Sequence, residues 1–107
     1  MSYKVSISHE AEVDLRGIYA YITLDLLSPK NAQRQISRLE QAILSLDEFP
    51  ARHRLVSYEP WKSRGLRVML CDNFLIFYFV QEEKQNVLIS RVLYGKRNLA
   101  EVLDEQR

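Results

Sequence analysis

The spacing of apolar residues changes once along this chain of 107 residues, and that change limits the folds open to it. From Ala32 to Leu46 they recur every three or four positions, which predicts one apolar face of a helix that stops before Pro50. From Leu66 to Leu70 they alternate instead, and Phe74 to Val80 is an unbroken apolar and aromatic run. These two patterns predict strands, the second of them covered on both faces.

The N-terminal part of the chain contains two further elements. Tyr3 to Ile7 alternates as a half-buried strand does, and Ser8 follows as the N-cap of a helix predicted from His9 to about Leu26. Ser28-Pro29 then starts the second helix, because a cap residue followed by proline suits the first helical position. Two consecutive amphipathic helices with a tight joint predict an antiparallel helical hairpin.

The C-terminal part adds a strand from Val87 to Tyr94 and a short helix from Leu99 to Leu103. The predicted order is β-α-α-β-β-β, an α+β fold in which an antiparallel sheet carries the helical hairpin on one face. The length of the chain predicts a single domain over residues 1–107. The other face of the sheet is expected to be partly exposed or covered by another part of the molecule.

The charges are segregated although the net charge is only +1. Residues 52–67 hold five arginines and lysines against the single acid Glu59, and residues 91–97 hold three cations and no acid. This distribution predicts a locally positive face, which is either a nucleic-acid surface or an ordinary solvated one. Trp61 lies beside a proline in the same stretch and is expected to pack as an anchor for it.

A single cysteine, Cys71, excludes a disulfide framework and is expected to be an inert thiol. The N-terminus lacks the apolar segment of a signal peptide, and no run approaches the roughly 20 apolar residues of a membrane span. We therefore expect a cytoplasmic protein with no membrane partner.

Several short strings in a fixed order carry a resemblance to a known family. They include Tyr3 to Ser8, Pro60 to Ser63, Gly65 to Arg67, Phe77-Tyr78 and the stretch from Arg91 to Arg97. Together with the order of elements, they make the chain resemble the RelE/ParE superfamily of toxins. The resemblance implies a toxin held inactive in a hetero-oligomer by a cognate antitoxin, which is expected to be acidic and partly disordered alone.

That superfamily divides by target. RelE-like members cut messenger RNA, generally on the ribosome, and the leading interpretation is such an mRNA endoribonuclease, working without metal or organic cofactor. The alternatives are a ParE-like inhibitor of DNA gyrase without nuclease activity, and an inactive toxin-like binding module. The gyrase alternative is favoured by Leu75 and Leu103, which stand where RelE-like toxins commonly have an arginine and a tyrosine.

RNA cleavage by the 2′-hydroxyl needs a base, an acid and cations for the charge on phosphorus. In the leading interpretation Arg67 and Arg97 hold the scissile phosphate, because a guanidinium is a forked, permanently charged donor. His53 or Glu59 transfers the proton, and Tyr94 stacks on a base or donates a proton. The other cations expected to contact nucleic acid are Lys62, Arg64, Arg91 and Lys96.

Each of these side chains also has a structural interpretation. Arg67 suits a salt bridge on a strand surface, and Arg91 lies in an apolar setting that predicts pairing with a carboxylate. His53 is typical of a surface-loop histidine whose arginine neighbours lower its pKa. Glu59 suits a local ion pair with Lys62 or Arg64, and Tyr94 suits packing against the helical hairpin.

Overall fold

The computed structural model describes residues 2–95 of the chain. The predicted C-terminal helix with Leu103, and the predicted site residues Lys96 and Arg97, lie outside the described residues. The helices and strands are β1 Lys4–Ile7, α1 His9–Ala20, α2 Pro29–Leu44, β2 Leu66–Cys71, β3 Phe74–Gln81 and β4 Asn86–Tyr94. The predicted α+β class and the order β-α-α-β-β-β are confirmed. No helix among residues 2–95 is long and apolar enough to cross a membrane.

The four strands form one sheet in the order β1-β4-β3-β2. The last three strands are an antiparallel meander, but β1 runs parallel to β4. The sheet is therefore mixed, and the prediction of an antiparallel sheet is corrected at this one pairing. The reason is that the helical hairpin carries the chain from one edge of the sheet to the other before β2 begins. A period of two reveals a strand but not its neighbour.

The first helix is tied to the sheet at its start. The Ser8 hydroxyl accepts a hydrogen bond from the Ala11 amide at 3.0 Å, as predicted for an N-cap, and donates to the Ser90 carbonyl at 2.8 Å. Helical backbone continues past α1 as a π-helical turn, Tyr21–Asp25. Pro29 opens α2, while the Ser28 side chain makes no capping hydrogen bond.

One face of the sheet, called here the helix face, is covered by α1 and α2. Three residues of the predicted helical seam, Leu39, Ile43 and Leu46, are buried there. They pack in one cluster with strand residues that include Ile76 and Ile89. The 3.6-residue period of α2 therefore supplies one half of the core.

The opposite face, called here the loop face, is covered by residues 54–65, which form no helix or long strand. Trp61 and Val56 are buried from this segment against Leu66, Phe77 and Leu93 of the sheet. The expectation that Trp61 packs as an anchor is confirmed. A basic segment thus covers the sheet with its few apolar side chains and leaves its charges outside.

Candidate functional site

Arg67 lies on β2 opposite Tyr78 of β3. Its Nη1 donates hydrogen bonds to the carbonyl oxygens of His53 at 2.7 Å and of Ala51 at 3.2 Å. The guanidinium therefore holds the loop of residues 50–53 against the end of the helix face. Both of these partners are neutral, so the two contacts leave the positive charge of Arg67 uncompensated by a carboxylate.

Tyr78, the strand partner of Arg67, also contacts the loop of residues 50–53, and the sequence analysis did not identify it. Its hydroxyl is buried and donates to the Pro50 carbonyl at 2.6 Å. Burial, the main cause, raises the pKa of this hydroxyl, so it remains a protonated donor at neutral pH. The hydroxyl of a buried tyrosine usually has a hydrogen-bond partner. A tyrosine inside the apolar run of β3 therefore predicts a polar contact, and this was the sequence signal for Tyr78.

His53 packs edge-on against the Tyr78 ring, with the ring centroids 6.5 Å apart and the planes at 89°. Burial lowers the pKa of His53, and the charge of Arg52 lowers it further. The Nε2 atom of the imidazole is buried and has no hydrogen-bond partner in the described part of the chain. The side chain is therefore neutral at pH 7, and the Nε2 atom, one of its two possible proton acceptors, is covered.

Glu59 lies on the segment that covers the loop face, and its carboxylate is exposed. It accepts hydrogen bonds from the Ser63 amide at 2.8 Å and from the Ser63 hydroxyl. These bonds lower the pKa of Glu59, with a smaller contribution from the charge of Lys62. Leu66 and Val68 of β2 pack in the loop-face cluster, so Arg67 between them points to the helix face. Glu59 belongs to the segment that covers the loop face and is therefore on the other side of the sheet from Arg67.

The cations of the same segment are exposed. The Arg64 guanidinium stacks over the Trp61 ring at 5.2 Å from its centroid, which holds the charge at the surface. Lys62 is exposed on the same turn. The two side chains form a small positive area beside the Trp61 anchor, on the side of the sheet away from Arg67.

Arg91 is bound to Asp14 of α1. Its Nε and Nη2 donate to the two carboxylate oxygens at 2.7 and 2.8 Å, and the Val92 amide adds a bond to Asp14 at 2.9 Å. The side chains are only 14% and 11% exposed. The pairing register between β3 and β4 shifts at Phe77/Tyr78, opposite Arg91. Such a β-bulge changes the direction of nearby side chains. The carboxylate pair expected for Arg91 is therefore present.

Tyr94 ends β4 and is exposed. Its ring packs edge-on against Phe74, its partner in the β3 register, with the centroids 5.8 Å apart. Phe74 is four residues from Tyr78 along β3, which corresponds to about 13 Å. Of the predicted site residues in the described part, the structure brings together Arg67 and His53, and it places Glu59 and Tyr94 elsewhere.

Comparisons with known proteins agree with this fold. The sequence model for the "ParE toxin of type II toxin-antitoxin system, parDE" matches residues 5–99. No curated protein sequence matches the chain.

Solved structures match over most of their length. The chromosomal ParDE system from P. aeruginosa superimposes with a TM-score of 0.73 at 17% identity, over 89% of this chain and 98% of that chain. The RelBE2 toxin–antitoxin complex from Mycobacterium tuberculosis gives 0.68 at 18% identity, over 88% and 92%. A mutant of the E. coli toxin RelE in the free state gives 0.63 at 16% identity, over 98% and 94%. Identities this low show the fold alone, but the sequence match covers most of the chain. This protein belongs to the family of ParE toxins of type II toxin–antitoxin systems.

Proposed function

We propose that this protein poisons DNA gyrase by binding it, catalyses no RNA cleavage, and is neutralised by a protein antitoxin. The observation that carries the proposal is that the two predicted proton-transfer groups, His53 and Glu59, lie apart and are each covered or bonded within the protein. The Nε2 atom of His53 is buried, and the carboxylate of Glu59 is bonded to Ser63 on the other side of the sheet.

Cleavage of RNA requires a base and an acid within hydrogen-bond reach of one phosphate. Among the residues at positions 2–95, the Arg67 guanidinium is bonded to loop carbonyls. Tyr94 pairs with β3 at a position about 13 Å along the strand from the one that pairs with Arg67. Leu75 and Leu103 further replace two groups that RelE-like toxins commonly use. A toxin that acts by binding needs none of these groups, so the gyrase alternative accounts for their positions.

Pairing with an antitoxin is supported by the family and by its solved relatives. The RelBE2 structure from Mycobacterium tuberculosis is a toxin–antitoxin complex, and so is the intact E. coli RelBE structure. We expect the antitoxin to be the product of a neighbouring reading frame, acidic and partly disordered when alone.

The mRNA endoribonuclease is kept as a second candidate because of one observation. The charge of Arg67 meets only neutral carbonyl groups in its two bonds, so it stays available to an anion if the loop of residues 50–53 moves. In that hypothesis Arg67 and Arg97 bind the phosphate, His53 transfers the proton, and Lys62, Arg64 and Lys96 contact the RNA backbone.

The test measures both activities with the purified toxin. Gyrase supercoiling and double-strand breaks are followed on plasmid DNA, and transcript cleavage is mapped in a translating extract. We expect inhibited supercoiling with gyrase-dependent breaks, intact transcripts, and loss of the effect when antitoxin is added first. Cleavage at defined transcript positions that disappears in Arg67→Ala would reject the proposal and establish the endoribonuclease. Absence of both activities, with normal growth on expression, would establish the inactive binding module.

A further inference from the structure

An open cleft, called here the end cleft, lies at the end of the sheet where β1 begins. It is lined by residues 2–3, residues 48–51 and the turn between β3 and β4. Tyr3 joins these three segments, because its amide donates to the Asp47 carbonyl at 2.7 Å and its hydroxyl donates to the Glu82 carboxylate at 2.7 Å. The volume of about 660 Å³ lies within the range of about 300–1,000 Å³ that is usual for ligand pockets.

Phe49 forms part of the lining and is the most exposed aromatic side chain among residues 2–95, at 80%. Its φ of 48° is in the left-handed region, which bulky side chains rarely adopt and glycine adopts freely. Pro50 follows, and the residue before a proline favours extended backbone. Folding alone gives no reason for a phenylalanine at this position, and strain at an exposed residue is typical of a functional one.

The backbone that follows Phe49 is held in place by two side chains of the sheet. The Tyr78 hydroxyl donates to the Pro50 carbonyl at 2.6 Å, and the Arg67 guanidinium donates to the Ala51 carbonyl at 3.2 Å. These bonds fix the loop and so keep the Phe49 ring beside the end cleft. A ring that is already held in place loses little conformational entropy when a partner binds it.

The charged side chains that line the end cleft are both carboxylates, Glu48 and Glu82. Within residues 2–95 neither of them is in an ion pair. The bond that Glu82 accepts from Tyr3 comes from a neutral hydroxyl, so it leaves the negative charge uncompensated. The lining therefore combines one exposed aromatic ring with two negative charges.

The flanks of the end cleft carry both signs of charge, the cations Lys4, Arg52 and Lys84 and the acids Asp47 and Glu83. The Arg52 guanidinium is bonded to three backbone carbonyl groups. Among the described residues no cation lines the cleft itself. The negative character is therefore local to the lining.

We infer that the end cleft receives an arginine or lysine side chain from the surface of DNA gyrase. The inference rests on the function proposed above, and it names the part of the toxin that holds the target. A cation is attracted to the face of the Phe49 ring and forms charge-assisted hydrogen bonds with Glu48 and Glu82. One aromatic anchor beside paired charges is typical of the few residues that dominate a protein interface.

Three other occupants fit less well. Nucleic acid presents phosphates, which the two carboxylates repel. The antitoxin is expected to be acidic and meets the same repulsion. A second copy of the chain related by a two-fold axis would bring Glu48 and Glu82 against the same carboxylates of its partner.

The aromatic part is tested with Phe49→Gly, which removes the ring and relieves the positive φ. We expect its urea midpoint to be unchanged or higher, and its affinity for purified gyrase to fall about 30-fold in surface plasmon resonance. The matched control is Leu27→Gly, because Leu27 also has a positive φ, 52°, and is 82% exposed. The 16 residues of α2, about 24 Å, separate it from the end cleft, so its affinity should stay within about 2-fold.

The charge of the occupant is tested at the same position. Phe49→Trp keeps an aromatic face and should bind gyrase within about 2-fold of the unchanged protein. Phe49→Leu keeps an apolar side chain but has no aromatic face, so it should bind about 5-fold more weakly.

The carboxylates are tested with Glu48→Gln and Glu82→Gln. Each should weaken gyrase binding about 5-fold at low ionic strength, and the loss should shrink as salt rises. The control is Glu83→Gln, which removes the same charge from a neighbouring residue outside the lining and should bind within about 2-fold.

Four results would overturn the inference while gyrase poisoning by the unchanged toxin still stands. They are unchanged gyrase affinity in Phe49→Gly, equal losses in the test and control variants, full affinity in Phe49→Leu, and a loss of antitoxin binding with gyrase binding intact. The last would assign the end cleft to the antitoxin. Failure of the unchanged toxin to bind gyrase would reject the proposed function, and this inference with it.

Discussion

The two faces of the sheet are packed in different ways. On the helix face, α2 buries Leu39, Ile43 and Leu46 at regular intervals, so many equivalent contacts share the stabilisation. On the loop face, a segment without regular structure is held by Trp61 and Val56. The helix face is therefore stabilised by many similar contacts, and the loop face by a few individual side chains. The two faces should therefore fail differently when one side chain is removed.

The largest expected effect compares one core deletion on each face. Leu39→Ala and Trp61→Ala should each lower the free energy of unfolding by about 3–4 kcal/mol, because each leaves a cavity. The loss of Trp61 should in addition free residues 57–65 locally, because Trp61 is the one side chain of that stretch that is buried against the sheet. We expect trypsin to cut Trp61→Ala after Lys62 or Arg64 faster than global unfolding allows. Equal cleavage of the two variants at matched stability would contradict the comparison.

A smaller effect is expected from the ion pair that joins α1 to β4. Asp14→Ala removes three hydrogen bonds of one nearly buried carboxylate and should lower the free energy of unfolding by about 3 kcal/mol. The control is Arg38→Ala in α2, which breaks the pair with Asp72, whose side chains are 63% and 28% exposed. That pair should contribute only about 0.5–1 kcal/mol. Urea unfolding measures both, and similar losses would show that burial does not decide the strength of these pairs.

The smallest effect concerns pH and the loop of residues 50–53. The pKa of His53 is lowered in the folded protein, so the unfolded chain binds the proton more readily. Stability should therefore fall as the pH drops below about 6.5, the ordinary histidine pKa, and continue to fall toward the lowered folded value. Urea unfolding between pH 7.5 and 5.5 should give a shallower dependence in His53→Gln than in the unchanged protein. Identical slopes would remove His53 from the explanation.

The sequence predicts the helix face better than it predicts the candidate site. A seam such as that of α2 repeats, so each buried residue supports the assignment of the next. Contacts such as Arg67 to His53, or Tyr78 to Pro50, each join two residues far apart in the chain and repeat nowhere. Arg91 illustrates the boundary between the two cases. Its apolar surroundings predicted a carboxylate partner, but nothing in the spacing identified Asp14.

The packing of the loop face could not be predicted from the sequence, for a related reason. Residues 51–65 have no period, so their composition alone predicted a positive surface and one aromatic anchor. The anchor is where it was expected, but Lys62 and Arg64 of this segment lie on the other side of the sheet from Arg67. Proximity in the chain is therefore a poor guide to a shared site when a strand intervenes, because successive side chains of a strand diverge.

The parallel pairing of β1 with β4 has a consequence for synthesis. The first strand to leave the ribosome forms its hydrogen bonds with the last, between residues 4–7 and 86–89. A nascent chain that stops before Asn86 lacks the strand to which both β1 and β3 pair, so it cannot close the sheet. Contacts of such high sequence separation also form late in folding. An interrupted translation product of this gene should therefore be harmless to the cell that makes it.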